Sequence, residues 1–205
     1  MDIGIIGAGH IGATLAGHLT RVGHRVAIAN SRGPGTLSDM VAELGPRAHA
    51  ATIDEAASFG RVVIAALPFG HVHALPAADI GDRILVDATN YYRGRDGEMP
   101  LIEQGETSSS EVVAAHASDA RVVKAFNTIQ WEELRDEARP AGEDRRALPI
   151  AGDDADAKKV VADLIDEIGF DAVDAGPLAA GRAMQPGSDL FLGRLTSDEL
   201  RHRLP

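Results

Sequence analysis

Short apolar runs alternate along this chain with stretches whose apolar residues recur every three or four positions, and the alternation starts at the first residue. Met1 to Ile6 reads as a buried strand. Ile11 to Val22 follows as a helix, with Ile11, Leu15, Leu19 and Val22 on one face. Gly23 stands where a left-handed cap is expected, and His24 to Ala29 reads as a second strand. The pattern then predicts a turn at Gly33 to Thr36, a short helix over Leu37 to Leu44, a third strand over Arg47 to Ala51, and a helix from Ile53 capped by Thr52. Arg61 to Leu67 is almost continuously apolar, as a strand covered on both faces requires, and Pro68 ends it. A helical stretch is expected over Gly70 to Ala78. A fifth strand over Arg83 to Asp87 runs into Ala88-Thr89-Asn90, and Tyr91 to Pro100 reads as an exposed loop.

Ser108 to Ser110 can cap a helix running through Ala117, and Arg121 to Phe126 makes a sixth strand. Trp131 to Arg139 reads as a helix, and Arg135 to Arg146, the most charged and least patterned stretch, as a surface excursion. Ala147 to Gly152 returns to the sheet, with Pro149 confining it to an edge or a strand end. Asp153 or Asp154 caps a helix whose stripe is Val160, Val161, Leu164, Ile165 and Ile168; Gly169 stops it, and Phe170 to Ala175 is the last strand. Helix potential returns near Ser188 to Leu195.

Strands alternating with helices specify an α/β fold of the Rossmann type: a doubly wound, mostly parallel sheet with a short C-terminal addition, and with ligands expected at the carboxyl ends of the strands. The 205 residues fit one domain, about 1–150 as core and 151–205 as a C-terminal β/α extension forming part of the cleft. No apolar run reaches membrane length, and the chain starts directly on its first strand with no room for a signal peptide, so a cytoplasmic protein without a membrane partner is expected. The absence of cysteine excludes disulfides and thiolate chemistry. A formal net charge of −11 argues against nucleic acid as a partner, and it means that any anionic cofactor has to be held by local positive features.

Gly7-Ala8-Gly9-His10-Ile11-Gly12 lies between the first strand and the first helix, the place where a dinucleotide-binding turn belongs. Gly7 permits the tight turn, Gly9 lets the backbone approach a pyrophosphate, and Gly12 lets helix and strand pack closely. At the end of the second strand, where an NAD site carries Asp or Glu, stand Asn30, Ser31 and Arg32. A guanidinium and a hydroxyl suit a 2′-phosphate that a carboxylate would repel, so the expected cofactor is NADP(H). His10 either contacts a phosphate or covers it. His71 and His73 are two apart, without the spacing of a metal site, and no metal is expected. No GxSxG elbow occurs, Ser108 to Ser110 reads better as a cap than as a nucleophile, and Asp87 can bond backbone groups as easily as substrate. With no acid–base pair in evidence, no catalytic residue is assigned. That suits hydride transfer between two ring cofactors, which needs mainly proximity and alignment.

The blocks GIIGAGHIG, NSR, ALPFGHV, DATN, VVKAFNTI, IAGDDADAKKVVADLIDEIGFDAVDAGPL and AAGRAMQPGSDLF, spread over nearly the whole chain, together resemble the family of F420-dependent NADP reductases. The resemblance implies a homodimeric Rossmann protein that binds NADP(H) and passes a hydride to or from the deazaflavin F420. It implies that Gly7, Gly9, His10, Ile11 and Gly12 hold the pyrophosphate side, and that Ser31 and Arg32, beside Asn30, take the 2′-phosphate. Leu67 and Pro68 then lie along the nicotinamide, and Asn90 with Asn127, Thr128 and Ile129 borders the cleft where F420 stacks. Gln130 stands where the better-defined reductases have proline. F420 carries a phosphate and a glutamate tail, which Arg93 or Arg95 could offset. A flavin or another small acceptor in place of F420, or a non-enzymatic NADP(H) sensor, are the other readings.

Overall fold

Eight strands are present in the computed structural model, which describes residues 1–204: β1 (Asp2–Ile6), β2 (Arg25–Ala29), β3 (Ala48–Ala50), β4 (Val62–Ala65), β5 (Ile84–Asp87), β6 (Arg121–Lys124), β7 (Ala147–Gly152) and β8 (Asp171–Asp174). They form one sheet in the order β3-β2-β1-β4-β5-β6-β7-β8, parallel through β6. The order reverses between β1 and β4, the place where open α/β sheets bind ligands. β4 and β5 are buried at every position because both faces of the sheet are covered. On one face Ile3, Ile5, Val26, Ile28, Ile64 and Val86 pack with Leu15 and Leu19 of the helix His10–Arg21 and with Val161, Leu164 and Ile165 of the helix Ala155–Glu167. On the other, Ile6, Ala27, Val63 and Leu85 meet Ala56, Phe69, Val72 and Val113. The assignment of alternate residues to opposite faces follows from the two-residue period of a strand.

Asp154 caps the helix Ala155–Glu167, and Thr52 and Ser108 each close a capping box, with Glu55 and Glu111. Pro149 lies inside the sheet, not at its rim. β7 pairs with β8 in parallel, and with β6 antiparallel only through Gly152↔Val123 and Ala151↔Lys124. The Arg146 and Ile150 carbonyls bond β8, so Pro149 faces the other way, where β6 does not reach and a missing N–H costs nothing.

Four further expectations need correction. Tyr91 to Pro100 is no plain loop: it holds a helical turn over Arg93–Asp96, a second turn begins at Pro100, and Tyr91 is buried edge-on against Phe69 with its hydroxyl donating to the Glu103 carboxylate at 2.5 Å. Gly70 to Ala78 divides into a 3-10 stretch, Phe69–Ala74, and a helix Ala77–Ile80, because Pro76 interrupts it. Arg135 to Arg146 is not surface throughout, since Arg145 and Arg146 are only 9% and 6% exposed. Ser188 to Leu195 is a series of turns, with Gly187 at φ +90° and Leu192 at +58°; the terminal helices are a 3-10 stretch Leu178–Met184 and an α-helix Ser197–Arg203. No helix among the described residues is long and apolar enough to cross a membrane.

The helix Ile53–Ser58 sits so close to β1 that a Cβ on Gly4 would come 1.8 Å from the Ala56 carbonyl oxygen. Gly4→Ala is expected to cost about 3 kcal/mol or more through overpacking, read as a lower urea midpoint. An unchanged midpoint would show that this helix can move off the sheet.

Candidate functional site

The turn from β1 into the helix His10–Arg21 is made by three glycines with different duties. Gly7 has φ +116°, and a Cβ there would lie 2.1 Å from the Ala66 carbonyl oxygen; at Gly12 it would lie 1.9 Å from that of Gly7. At Gly9 a Cβ would meet nothing within 4 Å, so the backbone there borders open space. Gly9 is also the N-cap of this 12-residue helix, with no side-chain cap and no acidic residue in the first turn, which leaves the helix N–H groups and positive end available to an anion. A cavity of about 390 Å³ opens here, lined by Gly7, Gly9, Asn30, Ser31, Arg32, Leu67 and Pro68. Ile53, His71 and Leu75 line it too, residues missed in the sequence although the carboxyl-end rule could have flagged the segments after β3 and β4. Arg32 is exposed and forms no ion pair among the described residues. Asn30 holds the turn in shape, donating from Nδ2 to Thr36 Oγ1 at 2.9 Å and accepting at Oδ1 from the Arg32 N–H at 2.9 Å. Open backbone at Gly9, an uncapped helix end and an unpaired guanidinium fit a dinucleotide with a 2′-phosphate.

His10 stacks on Trp131, with ring centroids 4.5 Å apart and planes inclined by 16°, while the Arg135 guanidinium lies 5.1 Å from the Trp131 ring centre. The glycine loop is thereby joined to the segment after β6. Ile11 packs, half-buried, on the main core.

Asn90, Asn127, Thr128 and Ile129 do not line that cavity; they lie together at the ends of β5 and β6. Asn90 Nδ2 donates to the Asn127 carbonyl at 2.9 Å, and Asn127 Nδ2 donates to Asn90 Oδ1 at 3.1 Å and to the Met184 carbonyl at 2.7 Å. These bonds fix both amides and leave Asn127 Oδ1 buried without a partner. Thr128 and Ile129 are buried. Beneath them, Asp87 and Lys124 are both 0% exposed, with Nζ 3.0 Å from Oδ2 and 2.5 Å from the Thr89 carbonyl. Asp87 also accepts from the Thr89 N–H at 2.9 Å, the Thr89 hydroxyl at 2.6 Å and the Ser110 hydroxyl at 2.7 Å. Burial pushes the Asp87 carboxyl up, but the Lys124 ammonium and these hydrogen bonds outweigh it and hold it below the ordinary carboxylate range. Burial pushes the Lys124 ammonium down, with Asp87 opposing. Ser108 is a cap, as expected, and Ser110 belongs to this network. Arg93 and Arg95 offer no free charge: Arg93 pairs with Glu98 and, at 3.2 Å, with Glu103, and Arg95 pairs with Asp96 at 2.8 Å.

Residues 2–91 match the family model described as NADP oxidoreductase, coenzyme F420-dependent. A crystal structure from Arthrobacter sp. FB24, provisionally described as an F420-dependent NADP reductase, is 31% identical, with a TM-score of 0.76 over 89% of this chain and 88% of that one. The chain belongs to this family. Among curated relatives, the metalloreductase STEAP3 of Rattus norvegicus is 30% identical over 185 residues, 89% of this chain. The F420-dependent NADP reductase of Methanocaldococcus jannaschii is 29% identical over 145 residues, 68% of this chain. The chain spans 35% of the length of the first and 64% of the second. More distant solved structures, such as 3-hydroxyisobutyrate dehydrogenase of Mycobacterium tuberculosis, share the fold at 17% identity with a TM-score of 0.64.

Removing one member of the buried pair leaves the other charge uncompensated. Lys124→Met is expected to lose about 3 to 5 kcal/mol near neutral pH. Without the ammonium the folded-state Asp87 pKa moves up, so the loss relative to the parent is smallest in acid, where the carboxyl is protonated, and widens as pH rises towards neutrality. Urea unfolding of parent and variant across that range checks this, and a pH-independent difference would show that Lys124 does not compensate the Asp87 charge.

Proposed function

We propose that this chain binds NADP(H) along the glycine loop and transfers a hydride between it and coenzyme F420. The observation that carries the reading is Ser31-Arg32 at the mouth of the glycine-lined cavity, with the guanidinium unpaired in a chain of net charge −11. The helix end beyond Gly9 would hold the pyrophosphate, and Arg32 and Ser31 the 2′-phosphate, where charge-assisted hydrogen bonds count most. Leu67 and Pro68 would form an apolar wall that keeps water from the nicotinamide face. Asn90 and Asn127, locked to one another, would set the rim against which the acceptor ring is aligned. The nicotinamide, when bound, supplies or accepts the hydride; the protein's part is alignment, and no general acid is assigned. Membership of the family and the relative named F420-dependent NADP reductase support F420 as acceptor.

The deciding assay follows the loss of the deazaflavin's visible absorbance when the protein is mixed with NADPH and oxidised F420. Bleaching that requires the protein and fails with NADH is the expected result. Arg32→Ala should weaken NADPH binding about 10- to 100-fold, roughly 1.4 to 3 kcal/mol, and leave NADH binding unchanged. Equal losses for both cofactors would remove the 2′-phosphate from Arg32. A second reading, reduction of a flavin or other small acceptor, is favoured by the likeness to a metalloreductase over 89% of this chain, and turnover with FMN but not F420 would select it.

A further inference from the structure

A second cavity, of about 280 Å³, is lined by Arg139, Arg145, Arg146 and Arg194 together with Glu137 and Asp144. Four arginines and two carboxylates line it, in a chain of net charge −11. Its place follows from the topology. β7 runs antiparallel to β6, so Arg145 and Arg146, which lead into β7, lie at the edge where β6 ends, and Arg146 Nη2 donates to the Thr128 carbonyl at 3.4 Å. The cavity therefore adjoins the Asn127–Ile129 turn.

The four guanidiniums are not equivalent. Arg146 is neutralised by Glu133 at 2.7 Å and Glu137 at 3.3 Å, and Arg145 by Asp166 at 2.6 Å, with Asp171 4.0 Å away. Arg145 Nε donates to the Arg139 carbonyl and Arg146 Nη2 to the Gly193 carbonyl, while Arg146 Nε is buried without an acceptor. The outer two carry the excess charge. Arg139 donates only to the carbonyls of Asp136 and Ala138 and forms no ion pair among the described residues. Arg194 is 72% exposed, and its one carboxylate, Glu137 at 3.4 Å, is shared with Arg146. Exposed guanidiniums suit the planar oxygens of a phosphate or carboxylate.

We infer that this arginine cavity is an anion subsite, taking the phosphate or carboxylate tail of the hydride acceptor whose ring lies at the Asn90–Asn127 rim. The inference rests on the proposed function for the identity of the tail, but not for the binding of an anion. Arg93 and Arg95 are neutralised by neighbouring carboxylates, whereas Arg139 in this cavity keeps a guanidinium with no ion pair among the described residues.

The test uses the full chain and the double variant Arg139→Ala/Arg194→Ala, whose exposed side chains leave the core untouched. With NADP⁺ saturating the glycine loop at low salt, inorganic pyrophosphate should raise the Tm of the parent by about 2 °C or more and leave the variant unmoved. No shift in the parent, or the same shift in both, overturns the subsite. With NADPH as donor, the variant should show a KM for F420 about tenfold higher at unchanged kcat, and no change with a deazaflavin that lacks the phosphate and glutamate tail. An equal rise for both acceptors overturns the tail assignment. Absence of F420 turnover in the parent overturns the acceptor reading and the tail with it, while the thermal shift still decides whether the cavity binds an anion.

Discussion

Two opposite charges without contact with water, Lys124 and Asp87, hold the carboxyl edge of the sheet together, and much of the cleft depends on them. They are register partners at the ends of adjacent parallel strands, so strand pairing alone puts them side by side. Taking both out of water is costly, and the pair is tolerated because the polar groups around it are satisfied: Thr89 and Ser110 fill the carboxylate, and the Thr89 carbonyl takes a second ammonium proton. Each of these bonds fixes backbone. Thr89 precedes Asn90, Ala125 and Phe126 carry the chain from Lys124 to Asn127, and Ser110 ties in the helix Ser109–His116. Phe126, at φ +62°, is where the chain bends off β6 into the rim.

The C-terminal segment is part of the same construction. The 3-10 stretch Leu178–Met184 passes over the lysine, where a Cβ on Gly181 would stand 3.6 Å from Lys124 Cγ, and its last carbonyl, Met184, receives Asn127 Nδ2. Gln185 Oε1 accepts the Ser109 N–H at 2.7 Å. The segment thus shields the ion pair from water and closes the amide network, two consequences of one placement. Electrostatic attraction in that shielded interior is stronger than it would be at the surface.

Much of this was legible in the sequence, and the parts that were not share a physical cause. β1, β2 and β4 to β7 show in the apolar runs because burial on both faces demands them, whereas β3 and β8 are partly exposed edge strands. Gly7, Gly9, Gly12, Ser31 and Arg32 show because their duties are local and fixed by spacing along the chain. Asp87 and Lys124 did not show as a pair, since 37 residues separate them and only strand register brings them together. Arg145 and Arg146 read as surface because charge normally stays in water, and the carbonyls and carboxylates that permit their burial come from distant segments, Gly193 and Asp166 among them. Tyr91 in its loop and the turns of Ser188 to Leu195 are set by packing and backbone reversal, which apolar spacing does not encode.

The same contrast divides the protein's chemistry. The family model ends at Tyr91, after β5, and takes in every glycine-loop and cavity residue named above. Asn127, Trp131, the arginine cavity and the 3-10 stretch over Lys124 all lie beyond it. A dinucleotide site made of local turns can pass intact between proteins with different reductive partners, because its geometry is complete within one run of chain. A rim assembled from pairs far apart in sequence depends on the packing of several segments at once. Relatives named for F420 and for metal reduction are alike compatible with the local turns of the glycine loop, which the family model spans, while the stack of His10 on Trp131 ties that loop to the segment after β6.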